Sequence, residues 1–328
     1  MKKVGLGIIG LGYIGNIHCR SSQRLESAEL TAVADVSKKA LRKAKEMGAK
    51  KTYTDYQELL KDPDVDAVII GLPTHLHLDS AKRAAEAKKH IFLEKPMART
   101  VSEAKEIISQ ANRNGVKLMM GYHLRFNDSF RSLKEQINSG VLGDVESAFA
   151  TFVSSGPFFH RNEDNAPVPV PEWWFNRQFT GGGVLMDMGC HMINLLRFFF
   201  GEVVAIRSHL GYRFNMDFED LALCMARFES GTVAIINVGW FSQEYSLKVE
   251  LFGSVKHSLV ENVPLNPFST ITQTLATGIP RFYRSHFNEL QHFVNCLLED
   301  KLPSSTGLDG LKDLEAISQA YNNVIPMG

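Results

Sequence analysis

Short apolar runs alternate with Ala-, Lys- and Glu-rich segments through the first third of the chain. Val4-Gly5-Leu6-Gly7-Ile8-Ile9, Leu30-Thr31-Ala32-Val33-Ala34, Ala67-Val68-Ile69-Ile70, His90-Ile91-Phe92-Leu93 and Val116-Lys117-Leu118-Met119-Met120 are nearly continuous in apolar character. Strands of that kind are buried on both faces, which implies a parallel sheet with helices on each side. The segments between and after them predict helices at about 13–26, 37–47, 75–88, 101–114 and 127–139. The alternation is that of a βαβ series, and the region 1–122 is expected to form a doubly wound Rossmann domain.

After Gly143 the pattern changes. Val145–Ser154, Val203–Tyr212, Leu221–Phe228, Thr232–Trp240 and Tyr245–Leu251 follow one another with polar–apolar alternation and few helices between them. Glu229-Ser230-Gly231 suits a hairpin turn, so region 123–328 is expected to hold a large open, mainly antiparallel sheet. Helices expected at about 184–199, 284–299 and 308–323 would cover one of its faces. A second copy of the chain would cover the rest, which points to a homodimer or homotetramer. Gly156 to Pro171 carries four prolines without any period and is expected to be a loop near a site.

A chain of 328 residues exceeds the usual size of one hydrophobic core, consistent with these two domains. Lys+Arg and Asp+Glu are both 36, so no long-range field favours nucleic acid or an anionic membrane. The most apolar late stretch, Met192 to Phe200, is interrupted by Asn194 and Arg197 and is far shorter than the ~20 residues of a membrane span. Cys19, Cys190, Cys224 and Cys296 lack the close spacing of a zinc site or redox pair and read as reduced thiols of a cytoplasmic protein. No metal site is expected.

Gly10-Leu11-Gly12-Tyr13-Ile14-Gly15 follows an expected strand and opens an expected helix. In that setting the first glycine permits a tight turn, the second admits a pyrophosphate, and the third lets helix and strand approach closely. Asp35 stands 20 residues beyond Gly15, at the end of the second strand, where a carboxylate can accept from ribose hydroxyls. This favours NAD over NADP, although Ser37, Lys38 and Lys39 stand close enough to accommodate a phosphate. In Glu94-Lys95-Pro96 the proline holds Lys95 extended at the carboxyl edge of the sheet, where open α/β sheets bind ligands. Gly181-Gly182-Gly183 leads into an expected helix carrying Asp187 and His191 four residues apart, a spacing that puts them on one face and lets the carboxylate orient the imidazole.

These motifs, with Pro73-Thr74-His75-Leu76-His77, resemble in order and spacing the Gfo/Idh/MocA oxidoreductase family over essentially the whole chain. That family includes inositol, sugar and nucleotide-sugar dehydrogenases and glucose-fructose oxidoreductase. The resemblance implies a nicotinamide bound between the domains, with Lys95 bonding substrate and cofactor, Asp187 contacting substrate and His191 acting as general acid/base. It extends cofactor contacts to Tyr13, Ile14, Leu72, Pro73, Thr74, His77 and Glu94. His77 is equally well read as packed against the sheet. His123 and Arg125 either face substrate or tie the domains together, and Trp174 and Arg177 are further substrate candidates. Asn194 replaces an aspartate of many members, a departure that weakens the case for a simple polyol substrate. Two other readings stand beside a dehydrogenase: a redox-assisted glycosidase using bound NAD, and a non-catalytic NAD-sensing regulator, against which the joint presence of Lys95, Asp187 and His191 argues.

Overall fold

The computed structural model describes residues 3–159, 170–261 and 281–325. The chain divides into two compact units, Met1–Phe126 with Thr270–Leu311, and Asn127–Ser269 with Lys312–Gly328. The division differs from a cut at 122/123, because a late segment returns to the first unit. Most of the proline-rich stretch 156–171 lies outside the described residues; Gly156–Phe159 forms a 3-10 turn.

In the first unit, β1 (Val4–Ile9), β2 (Ala28–Ala34), β3 (Lys51–Tyr53), β4 (Ala67–Ile70), β5 (His90–Glu94) and β6 (Leu118–Gly121) form one sheet in the order β3-β2-β1-β4-β5-β6. Every pairing is parallel. The order reverses at β1, the position at which doubly wound sheets open a ligand crevice. Helices α1 (Tyr13–Ser22), α2 (Lys38–Glu46), α3 (Tyr56–Leu60), α4 (His77–Glu86) and α5 (Val101–Asn114) supply the crossovers. β3 and α3 escape a reading by pattern because both are short and polar, with only Leu59 and Leu60 fully buried. α5 shows why local chemistry sets helix ends: Thr100 accepts from the Glu103 amide at its start, and Gly115 closes it in the left-handed conformation. The helix Arg281–Leu298 completes this unit's core by packing Leu290, Phe293 and Val294 with Leu6, Ile8, Leu30 and Phe92.

The second unit contains α6 (Asp128–Asn138), α7 (Arg177–Thr180), α8 (Cys190–Phe200) and the helix Gly307–Asn322, whose later part belongs here. Its sheet comprises β7 (Val145–Val153), β8 (Val203–Gly211), β9 (Leu221–Phe228), β10 (Val233–Gly239), β11 (Ser246–Gly253) and β12 (His257–Glu261), ordered β12-β11-β7-β10-β9-β8. The sheet is mainly antiparallel but mixed, since β7 and β10 run parallel. One face is built from small or slender residues, among them Ala148, Ala150, Ala222, Cys224, Ala226, Ala234 and Ile236, all buried. The opposite face carries Met225, Ile235 and Phe149 in one cross-strand row. Phe149 and Met225 are exposed there.

Candidate functional site

In the first unit each glycine of the Gly10–Gly15 turn has its own physical requirement. Gly10 has φ +90°, and a Cβ there would lie 2.6 Å from the Gly71 carbonyl oxygen. A Cβ at Gly15 would meet the Gly10 carbonyl oxygen at 1.9 Å, whereas one at Gly12 would meet nothing within 4 Å. The turn is therefore closed against its own protein at Gly10 and Gly15 and open at Gly12, beside the first amides of α1. That is the shape and polarity a pyrophosphate requires. Tyr13 is exposed and Ile14 half-buried beside it. Asp35 sits at the same place: Oδ2 accepts from the Leu11 amide at 2.7 Å and Oδ1 from the Ser37 amide at 2.7 Å. The carboxylate thus anchors the turn, and its remaining lone pairs are what ribose hydroxyls would use.

After β4, Leu72 and Pro73 are half-buried and Thr74 is buried. His77 is held by backbone on both sides: Nε2 lies 2.8 Å from the Leu72 oxygen, and Nδ1 lies 3.0 Å from that of Pro96. Burial lowers its proton affinity, overriding those carbonyls. Its ring joins the loop after β4 to the loop after β5.

Glu94 ends β5 and turns inward. Its Oε1 accepts from His18 Nε2 at 2.7 Å, and its Oε2 accepts from the Lys95 amide at 3.2 Å. A Cβ at Gly121 would lie 2.9 Å from Oε1, so β6 must carry glycine where it passes this carboxylate. Burial would raise the Glu94 carboxyl, but the His18 bond outweighs it and holds it below the usual range. Lys95 itself is half-buried at the strand's carboxyl end and precedes a cis Pro96.

Beside this pair lies Glu289. His18, Glu94 and Glu289 present potential ligand atoms within 4.8 Å of one another. A metal-bound imidazole normally donates its other N–H to an acceptor. Among the described residues His18 Nδ1 has no such partner, and Nε2 is engaged by Glu94. Both Glu289 oxygens also lack a donor, and burial together with the Glu94 charge pushes that carboxyl well above the ordinary glutamate range. Burial thus favours the protonated form of Glu289, whereas the His18 bond favours the ionised form of Glu94. Nothing in the sequence pointed to it, because its members are separated by up to 271 residues and meet only in the fold.

His123 stacks on His286, with ring centroids 4.2 Å apart, and burial pushes His286 down to about 4. Arg125 is buried, donating to the Ser304 carbonyl and, at 2.9 Å, to Asp309. Its guanidinium ties the end of the Rossmann region to the returning segment.

In the second unit the segment Leu185–Gly189 is π-helical and leads into α8. The wider π turn changes the simple one-face relation that an i, i+4 spacing implies for Asp187 and His191. Asp187 is half-buried, its amide bonded to the Gly183 carbonyl, and His191 is buried near Phe152 at a ring distance of 6.0 Å. Trp173 and Trp174 are half-buried in the 3-10 turn Glu172–Phe175, and Arg177 is exposed on α7. Asn194 is buried and donates to Asp313 at 2.7 Å, with Arg197 on the same carboxylate, so residue 194 here serves helix packing. Glu219 was missed by the sequence reading: in Asp217-Phe218-Glu219-Asp220 it resembles a surface turn, yet it is 2% exposed.

Residues 4–122 match the family model described as "Oxidoreductase family, NAD-binding Rossmann fold", and 130–256 match "GFO/IDH/MocA C-terminal domain". The chain is 29% identical to a myo-inositol 2-dehydrogenase of Thermotoga maritima, covering 93% of this chain and 91% of that one. It is 27% identical to a scyllo-inositol 2-dehydrogenase (NAD(+)) of Bacillus subtilis, covering 99% and 96%. A solved probable dehydrogenase from Thermotoga maritima superposes with a TM-score of 0.83 at 28% identity, covering 98% and 96%. The scyllo-inositol dehydrogenase of Lactobacillus casei, solved with NAD(H) and scyllo-inositol, has the same fold, with a TM-score of 0.81 at 24% identity and coverage of 98% and 97%. Two family models in sequence over most of its length, the first an NAD-binding Rossmann fold, place the chain within the Gfo/Idh/MocA oxidoreductases.

Proposed function

We propose that this oxidoreductase oxidises a secondary hydroxyl of a sugar, nucleotide sugar or cyclitol, with NAD as its partner, and catalyses the reverse reduction. The observation that carries this reading lies in the first unit: Lys95 leaves the carboxyl end of β5 in the same parallel sheet whose Gly10–Gly15 turn fits a pyrophosphate. The named inositol dehydrogenases among the relatives supply the substrate class.

Bound NAD supplies the hydride acceptor. The protein must then remove the hydroxyl proton and stabilise the developing charge on oxygen. His191 takes that proton, an imidazole being suited to transfer near neutral pH. The Lys95 ammonium opposes the charge growing on the carbinol oxygen, and Asp187 accepts from a substrate hydroxyl or orients His191. Asp35 accepts from the ribose hydroxyls, and Leu72, Pro73 and Thr74 line the cofactor side. His123, Trp174 and Arg177 are substrate-side candidates. His77 and Arg125 act by holding the scaffold, since their polar groups are bound to backbone and to Asp309. The apolar row Met225–Ile235–Phe149 is the surface on which a second copy pairs.

Screening polyols, aldoses and UDP-sugars for NAD+ reduction tests the reading, with Lys95→Ala and His191→Ala as controls. Each substitution is expected to lower kcat by about 100-fold or more. Folded variants with full activity on a substrate that wild type turns over would overturn the assignment.

A further inference from the structure

The glycine run before Asp187 is gripped by one buried side chain from elsewhere in the second unit. Glu219 lies just before β9 and is 2% exposed. Three successive amides converge on it. Gly183 N donates to its carboxylate at 3.2 Å, Leu185 N to Oε1 at 3.0 Å, and Val184 N to its main-chain carbonyl at 3.0 Å. The Tyr321 hydroxyl donates to the same Oε1 at 2.8 Å.

The first amides of a helix have no partner within it and attract negative charge. A helix is ordinarily capped by a residue of its own N-terminus. No side-chain cap precedes the π turn Leu185–Gly189, and Glu219 satisfies those amides from the segment before β9. The glycines make the grip sterically feasible: a Cβ at Gly183 would lie 2.0 Å from the Glu219 carbonyl oxygen, and one at Gly182 would lie 2.3 Å from the Tyr321 hydroxyl. Asp187 closes the same turn, its amide bonded to the Gly183 carbonyl at 3.1 Å.

We propose that the Glu219 side chain is a positioning group for Asp187 and His191, acting through the amides of Gly183 and Leu185. The proposal rests on the reading of Asp187 and His191 as the proton-transfer and substrate-contacting groups. Without the carboxylate, two buried amides and a phenol lose their acceptor at once. The turn then opens locally and the two side chains lose their fixed placement, which lowers turnover more than it weakens binding of NAD.

The test compares wild type with Glu219→Ala, Glu219→Asp and Glu219→Gln in the full chain, by hydrogen exchange over 183–191, melting temperature and steady-state kinetics. Glutamine keeps an oxygen where the bonds converge, while aspartate falls one methylene short. Glu219→Ala and Glu219→Asp are expected to speed exchange in 183–191 and lower kcat by about 10- to 100-fold. The KM for NAD+ should stay unchanged in both. Glu219→Gln should restore wild-type exchange and bring kcat to within about threefold of wild type. Should Glu219→Ala fail to fold, the aspartate and glutamine variants carry the comparison. Wild-type exchange in folded Glu219→Asp, or equal losses in the aspartate and glutamine variants, would overturn the proposal. If wild type turns over no polyol, the exchange result still decides what Glu219 does to the turn, and the failure falls on the reading of the reaction.

Discussion

Glycine identity at the cofactor turn is decided by what surrounds each missing Cβ. Gly15 abuts the Gly10 carbonyl, and backbone cannot move aside as a flexible side chain can. Gly12 faces open space. Gly15→Ala is therefore expected to destabilise the first unit by about 1–3 kcal/mol, as overpacking does, and to lower the melting temperature without ligand. Gly12→Ala should melt as wild type does and lose NAD affinity by calorimetry. Equal melting temperatures for the two variants would contradict this account. The turn itself was legible because glycine spacing along a strand–turn–helix is a local property. For His77 and Arg125 the sequence left two readings open, since acceptors that hold them lie far along the chain: Pro96 and Met97 for His77, Ser304 and Asp309 for Arg125.

At the scale of elements, long periodic helices and alternating strands follow from sequence because each must bury a stripe or a face. α5 and β9 occupy the spans their patterns imply, at Val101–Asn114 and Leu221–Phe228. β3, α3 and β12 are too short to show a period. The π turn at Leu185–Gly189 has no local signature either; the side chain that holds the Gly183 and Leu185 amides at its start, Glu219, comes from the segment before β9. Another long-range anchor joins α8 to the helix Gly307–Asn322. Asp313, buried, accepts from Asn194 at 2.7 Å and Arg197 at 2.5 Å, while Glu202 takes the other side of the same guanidinium. Asp313→Ala removes a buried carboxylate from Arg197 and Asn194 while the Glu202 pair remains. The expected cost is about 3 kcal/mol, read from urea unfolding. A loss below about 1 kcal/mol, the scale of an exposed pair, would show that Arg197 does not depend on Asp313.

At the scale of the whole molecule, the chain forms two units, each with a six-stranded sheet, and the sheets solve burial differently. The parallel sheet is covered on both faces, as its continuous apolar strands require. The mixed sheet buries alanines and Ile236 on one face and exposes an apolar row on the other. Ile235→Lys places a charge in the middle of that row, at a half-buried site of β10. If the row pairs two copies as proposed, wild type is expected to sediment as a dimer or tetramer, and the variant to keep its circular dichroism and shift to monomer. A wild-type chain that sediments as a monomer would remove the pairing surface. Among the described residues no helix is long and apolar enough to cross a membrane.

The sequence by itself determined the βαβ series, the dinucleotide turn, and the positions of Lys95, Asp187 and His191 along the chain. Such features depend on neighbours within a few residues, where periodicity and turn chemistry are strong. Only the tertiary structure decided that 281–298 returns to the first unit, and that Glu94 faces His18 beside a buried Glu289. It alone revealed that Glu219 caps a turn 36 residues before it. In each of these the deciding energy is a buried polar contact between distant segments, and the composition around either partner is the same whether or not the fold brings them together.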